Sequence, residues 1–359
     1  MKYCFLFILF LVHYQKVEAQ KKGMQQLSYY IDEDRKLHIK TNIEASKKIE
    51  LKGPDFVSQS NYQLSKDSLG HWNVVLPPMP IGFHYIWLEV DGQKVLLPNA
   101  ETYFGYNQEV NGFEVDSHED FFTPKTDKKG RLEKIQIRES KLNPSYLYKP
   151  FNFSSKKKYP LLILVHGAGE NSSGWVKQGM LQNILDNLIV EKKIKPHLVL
   201  MINGDVPNVK NYGNLEEETL DELPLIEQDL MQIILPRIER KYSISKYSIA
   251  GLSKGSFQTL TIATNNSEKF KKVGLFSPVL YSGVVEDSFA KIKTENFNNQ
   301  TYFLGVGTLE SERFQNFKQL LEEEFTKRKV HFKSYESPET YHEWLTWRRC
   351  LYEFLLWKP

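Results

Sequence analysis

A serine set between two glycines, where a strand pattern gives way to a helix pattern, constrains this chain more than any other feature. Residues 247–250 read as a strand, Gly251-Leu252-Ser253-Lys254-Gly255 follows, and Ser256-Phe257-Gln258-Thr259-Leu260 suits a helix. The G-x-S-x-G spacing fits a sharp strand-to-helix turn that lifts a serine hydroxyl clear of the backbone, with no room for side chains at the flanking positions. The surrounding sequence agrees. Residues 161–165 are continuously apolar, as expected of a strand buried on both faces. A helical pattern over 180–190 leads to a strand pattern over 197–202. Residues 221–242 are amphipathic, with Leu223, Ile226, Leu230 and Ile234 on one side. Further strands are predicted at 273–276, 302–306 and 331–335, and helices at 314–325 and 344–356. This alternation predicts a doubly wound α/β domain with a mostly parallel sheet over residues 131–359.

The first third of the chain follows another rule. Leu37-His38-Ile39-Lys40-Thr41 alternates, as does His71-Trp72-Asn73-Val74-Val75-Leu76. Residues 83–90 run into Asp91-Gly92 and return over 93–97, the pattern of a tight hairpin. Pro77, Pro78 and Pro80 are expected between strands, where they interrupt no ladder. Residues 20–115 therefore predict a small immunoglobulin-like β-sandwich. The charged, turn-rich stretch 116–130 is expected to be a linker. Ahead of all this, Lys2, the apolar run 3–12 and Val17-Glu18-Ala19 before Gln20 fit a cleavable signal peptide over 1–19. That run is shorter than the roughly 20 residues a bilayer span needs. A secreted or periplasmic protein is expected.

Composition removes several classes. Hydrophobic residues are 41% and charged residues 25%, too apolar for a disordered chain. The net charge is only +3 and the basic residues are scattered along the sequence, which argues against a nucleic acid or anionic membrane partner. Of two cysteines, Cys4 would leave with the signal and Cys350 would stand alone, so no intrachain disulfide is expected. With no metal-ligand spacing in view, neither a metal nor a cofactor is expected.

Other candidates follow from position. His166-Gly167-Ala168-Gly169-Glu170 stands at the end of the 161–165 strand. Small residues there allow backbone N–H groups to face a ligand, although a tight turn alone would also call for glycine. The backbone N–H groups of Ala168 and Lys254 are the candidate oxyanion hole. His342 lies between a strand and the last helix and is the candidate base. Glu310, at the end of the 302–306 strand, is the candidate acid. Ser253…Glu310…His342 is the nucleophile–acid–base order of α/β-hydrolases. In that scheme His342 takes the hydroxyl proton, Glu310 holds the imidazole tautomer and Ser253 forms an acyl-enzyme. Tyr106, Trp175, Glu343 and Trp344 are candidates to line a sugar or aromatic acyl site, with core packing an equal alternative for Trp344.

At these residues the chain resembles carbohydrate esterase family 1, the esterase D-like group that includes feruloyl and acetylxylan esterases. The resemblance rests on Tyr159-Pro160, on residues 166–175 with Gly179, on 183–189 and 250–253, and on His342-Glu343-Trp344 with Trp347-Arg348-Arg349. Residues 82–106 resemble the immunoglobulin-like module that often precedes the catalytic domain. The resemblance implies hydrolysis of an ester on a plant or microbial polysaccharide, and it carries over Ser253, His342 and the two amides. Three positions depart from the family: Lys254 for the usual Met, Ser256 for Gly and Glu310 for Asp. The Lys254 side chain would either place a cation at the mouth of the acyl pocket or pair with an acidic neighbour. A siderophore or peptide esterase, and a carbohydrate-binding relic without catalysis, remain the competing readings.

Overall fold

The computed structural model describes residues 29–43, 47–53, 61–97, 100–207, 213–281 and 300–359. The expected signal peptide lies outside them. The chain divides into two compact units: residues 1–102 with 110–115, and residues 103–109 with 116–359.

The first unit is all β. One antiparallel sheet has the order Tyr29–Ile31, Lys36–Thr41, Trp72–Pro78, Ser65–Lys66. The other has the order Asn61–Gln63, Ile49–Lys52, Gly82–Val90, Gln108–Val115, Thr102–Gly105, with Gln93–Val95 paired to Gly82–Val90. Alternation places Leu37 and Ile39 of one sheet in the same core as Leu51, Ile86, Leu88 and Phe113 of the other. The hairpin at Asp91-Gly92 has positive φ at both residues, 48° and 83°, as its tight turn requires. The prolines differ from expectation: Pro77 and Pro78 end the strand Trp72–Pro78 rather than lying between strands. Both are exposed, and the pairing there shifts register between Lys36 and His38, so the missing N–H donors disturb little.

The second unit is built on an eight-stranded sheet: β1 (Arg131–Ile135), β2 (Ser145–Lys149), β3 (Tyr159–Val165), β4 (Leu198–Ile202), β5 (Ile244–Leu252), β6 (Phe270–Phe276), β7 (Thr301–Gly307) and β8 (His331–Ser337). The order across the sheet is β1-β2-β4-β3-β5-β6-β7-β8. From β4 to β8 neighbours run parallel, whereas β1 and β2 are antiparallel additions at one edge. All seven residues of β3 are buried, in keeping with an apolar run that has no polar face. The helices among the described residues are α1 (Leu181–Val190), α2 (Leu215–Asp229), α3 (Leu235–Lys241), α4 (Lys254–Asn265), α5 (Glu312–Lys327) and α6 (Trp344–Leu356). The amphipathic stretch expected at 221–242 begins earlier, because Asn214 caps α2 by accepting the Glu216 N–H at 3.0 Å. A π-turn over Leu230–Ile234 joins α2 to α3, and Pro236 follows without an N–H to continue the ordinary ladder.

Residues 116–130 are not a free linker; they pack on α1. Asn187 Nδ2 donates to the carbonyls of Phe121 (3.0 Å) and Thr123 (2.7 Å), and Asn183 Nδ2 to that of Phe122 (3.0 Å). The Gly130 N–H donates to the buried Asp186 carboxylate at 2.9 Å, and Phe122 is itself buried. The composition is that of a linker because amides and carboxylates of α1 satisfy this backbone, not an apolar face of its own.

Candidate active site

Ser253 sits between β5 and α4 with φ 51° and ψ −125°, a conformation costly for a residue with a Cβ. The flanking glycines are required by contact. A Cβ on Gly251 would stand 2.2 Å from the Gly255 carbonyl oxygen, and one on Gly255 would stand 2.2 Å from that of His166. Ser256 completes the turn. Its buried hydroxyl donates to the Ser253 carbonyl at 2.6 Å and accepts the Val279 N–H at 3.0 Å. The departure from glycine at this position therefore adds two hydrogen bonds to the turn.

The structure brings the three separated candidates into one chain of contacts. His342 Nε2 lies 3.0 Å from Ser253 Oγ, and His342 Nδ1 lies 2.7 Å from Glu310 Oε2. The other Glu310 oxygen accepts from Ser277 Oγ at 2.6 Å and from the Gly307 N–H at 2.8 Å. With its other oxygen already accepting two donors, Glu310 acts as an ionised carboxylate toward the ring. Nδ1 then carries the proton, and Nε2 is left to accept from the serine hydroxyl. The longer Glu reaches the ring from a loop pinned at both sides. Thr308 N–H donates to Ser337 O at 2.9 Å and Leu309 N–H to Thr340 O at 3.0 Å, which ties the Glu310 loop to the His342 loop.

Three residues that the sequence reading missed hold this arrangement. Phe314, on the first turn of α5, stacks on the His342 ring at 4.0 Å and 17°. Trp347 of α6 meets the same ring edge-on at 5.1 Å and donates its indole N–H to Ser277 Oγ at 2.9 Å. Ser277, at φ 47°, passes that polarity to Glu310. A polar residue directly after the buried run of β6, one strand from the nucleophile, was the available signal for Ser277. Phe314 has none, because an aromatic on an amphipathic helix reads as core, and Trp347 entered the reading only through the family resemblance, with no role attached.

Ala168 is exposed on the loop after β3, and the Lys254 N–H belongs to the first turn of α4, where backbone donors have no intrahelical partner. His166 braces this loop: its Nδ1 contacts the Gly167 carbonyl at 2.8 Å and its Nε2 accepts the Gly204 N–H at 2.8 Å. Tyr106 is beside the same loop, 44% exposed. A Cβ on Gly169 would lie 3.3 Å from the Tyr106 Cα, and the Asn107 N–H donates to Gly169 O at 2.8 Å.

The other proposed lining residues are placed elsewhere. Trp175 is fully buried, edge-on to Trp344 at 5.4 Å, and donates to Val165 O at 3.2 Å. Trp344 is 1% exposed and donates to Glu170 at 2.9 Å. Glu343 caps α6 by accepting the N–H groups of Leu345 (2.6 Å) and Thr346 (3.2 Å). These three build the scaffold and offer no face to a substrate. The Lys254 side chain is also buried, with its ammonium 2.5 Å from Asp205 and 2.8 Å from Glu222. Its charge is compensated by two carboxylates, so it presents no bare cation at the pocket mouth. Burial alone would lower its pKa, but the two carboxylates outweigh burial and hold it above the ordinary lysine value. This stabilisation is fully present below the ordinary lysine pKa and is lost only as pH rises past the raised value.

Residues 143–357 match the Esterase family, which is most of the second unit and more than half of the chain. The chain belongs to the Esterase family. Ester hydrolysis expected from the residues and the family agree. Among relatives of this esterase-family chain is an endo-1,4-beta-xylanase/feruloyl esterase of Xylanibacter ruminicola, 30% identical over 305 residues. That match takes in 80% of this chain and 40% of the relative, so the chain spans less than half of that protein. Solved structures show the same fold. The ferulic acid esterase of Anaeromyces mucronatus aligns with TM-score 0.58 at 19% identity, covering 66% of this chain and 94% of that one. The enterobactin esterase of Shigella flexneri aligns with TM-score 0.64 at 14% identity, covering 92% of this chain and 95% of that one. These likenesses establish an α/β-hydrolase fold preceded by a β-rich region.

Lys254→Met tests the buried ion cluster. Restoring the family's usual residue here will leave Asp205 and Glu222 facing each other without a cation, at a cost of about 3 kcal/mol in urea unfolding. Adding Asp205→Asn and Glu222→Gln to that variant will recover most of the loss. A single variant as stable as the parent would show that the cluster contributes nothing.

Proposed function

We propose that this chain is a secreted serine esterase that removes acyl groups, acetyl or feruloyl, from a polysaccharide. The reading is carried by one observation: Ser253, His342 and Glu310 stand in hydrogen-bonding sequence at 3.0 and 2.7 Å, with the serine on a strained turn. Ser253 Oγ attacks the ester carbonyl while His342 Nε2 takes its proton. The negative oxygen is met by the N–H groups of Ala168 and Lys254, each such donor being worth about 10²-fold or more in rate. His342 returns the proton to the departing sugar hydroxyl. Water, deprotonated by the same nitrogen, then releases the acid from the acyl-enzyme. Tyr106 borders the acyl site, and the first unit serves as an immunoglobulin-like module.

The relative from Xylanibacter ruminicola, named as a xylanase/feruloyl esterase, supports the polysaccharide side of this reading. A second reading, hydrolysis of a siderophore-type cyclic ester, is favoured by the enterobactin esterase alignment, which spans both units where the ferulic acid esterase covers 66% of the chain. Kinetics on p-nitrophenyl acetate, methyl ferulate, acetylated xylan and a catechol trilactone will separate them. The expected result is turnover of the first three, with kcat/KM highest on a ferulate or acetyl ester. Preference for the trilactone selects the second reading, and failure on all four defeats both.

A further inference from the structure

At the end of the sheet away from Ser253 lies an open groove of about 1300 Å³ that no step of the proposed reaction uses. It is formed where β3, β4, β5 and β6 begin and is closed by the C-terminal residues 357–359. Strands of seven residues separate it from the serine by roughly 20 Å. Among the described residues nine lysines line it, and no Asp, Glu or Arg does. Basic residues far apart in sequence are collected here by the topology. Lys195 precedes β4, Lys158 precedes β3, Lys246 lies near the start of β5, and Lys271 with Lys272 lies at the start of β6. Because those four strands are neighbours in the order β4-β3-β5-β6, their lysines form a staggered row along that end of the sheet, with Lys246 opposite Pro160 of β3 and Lys272 opposite Ser248 of β5.

Most of this charge is uncompensated. Lys193 pairs with Glu191 at 2.7 Å and Lys271 with Glu268 at 3.3 Å, both carboxylates standing outside the groove. Lys158, Lys195 and Lys246 are exposed and have no ion-pair partner among the described residues. The field is felt by its neighbours. His197 is driven down to about 4 by burial, with Lys246 and Lys272 adding to the effect. Lys272 is driven down to about 8 by burial, then by Lys246 and Lys333. A row of like charges opposes compactness unless an anion meets it.

We propose that this groove binds an anionic polysaccharide, one bearing uronic acid carboxylates, and holds the polymer while its ester groups reach Ser253. The inference rests on the polysaccharide-esterase reading. Lysine ammonium groups act as point charges that impose no bidentate geometry, which suits single carboxylates spaced along a polymer. Holding one stretch of polymer raises the local concentration of its other substituents without any new contact at the active site.

The test is equilibrium binding of the full chain to xylan bearing glucuronic acid and to the same xylan after carboxyl reduction. The parent will bind the acidic polymer about tenfold more tightly in low salt, and the difference will shrink as salt rises. The triple variant Lys158→Gln, Lys195→Gln, Lys246→Gln will lose most of that preference while hydrolysing p-nitrophenyl acetate at the parent rate. Equal binding of both xylans, or a triple variant that binds like the parent, overturns the proposal. So does a homopolymeric RNA that displaces the acidic xylan at lower charge concentration, since it would assign the groove to nucleic acid. A parent chain that prefers the acidic xylan but hydrolyses none of the esters would instead count against the esterase reading and leave the groove standing.

Discussion

Alanine at Ser253 or at His342 will each lower kcat on p-nitrophenyl acetate by about 10⁴-fold or more, with both variants folded and the unfolding midpoint of the Ser253 variant little changed. The Ser253 side chain does not support the fold, whereas His342 is packed between Phe314 and Trp347. Ser253 Oγ makes no capping bond to α4, and its contact is the 3.0 Å one to His342. The strained backbone at φ 51° is unchanged by losing a hydroxyl, because alanine keeps the Cβ that makes it costly. His342 is partly open to water, but the Glu310 side chain is buried and the Ser277 and Gly307 donors meet only its other oxygen, so the alanine variant is stable only as far as water enters the vacated space to meet Oε2. The two residues perform one proton transfer. The double variant will therefore be no more than a few-fold slower than either single one, and additive losses would show that they act separately.

Glu310→Gln will reduce kcat by about 10³- to 10⁴-fold and leave KM near its parent value, for a reason visible in the donors around it. Ser277 Oγ and the Gly307 N–H both point at one side-chain oxygen. A glutamine must keep its carbonyl there to accept from them. Its NH₂ then faces His342 Nδ1 and forces that nitrogen to accept. The proton moves to Nε2, toward Ser253, where it blocks the base from taking the serine proton. Shape and substrate contacts persist, so the deficit falls on turnover. Glu310→Asp keeps the charge and the tautomer, and will recover part of the rate despite its shorter reach. Near-normal turnover of the glutamine variant would assign the acid elsewhere.

What could be read before any coordinates was local. The elbow is written within ten consecutive residues, because strand, glycine spacing and helix start are each short-range properties. Glu310 and His342 were accessible through chain order, since each follows a strand of a sheet whose alternation is plain. What escaped was set by contacts distant in sequence. Trp175 lies in a glycine-rich loop, which suggested exposure, yet Trp344 from the far end of the chain covers it. Lys254 meets Asp205 and Glu222, 49 and 32 residues away, and nothing near it announces them. The stretch 116–130 has the composition of a linker because its partners are amides and carboxylates displayed by α1. The lysine row exists only after four strands are ordered in space; along the sequence it is a scatter of unremarkable charges.

The hairpin tip at 103–109 has a consequence for how such a chain can be taken apart or recombined. Those seven residues belong with the hydrolase unit, yet the flanking residues 102 and 110 belong with the other. The Asn107 N–H holds the Gly169 carbonyl of the loop carrying Ala168, and Tyr106 lies alongside. No single cut in the chain separates the units cleanly. A fragment starting at residue 116 would carry Ser253, Glu310 and His342 but lack the tip whose Asn107 N–H holds the loop of the proposed oxyanion hole. Exchanging residues 1–115 for a segment from another protein would exchange that tip as well, so a working exchange has to keep residues 103–109 of this chain.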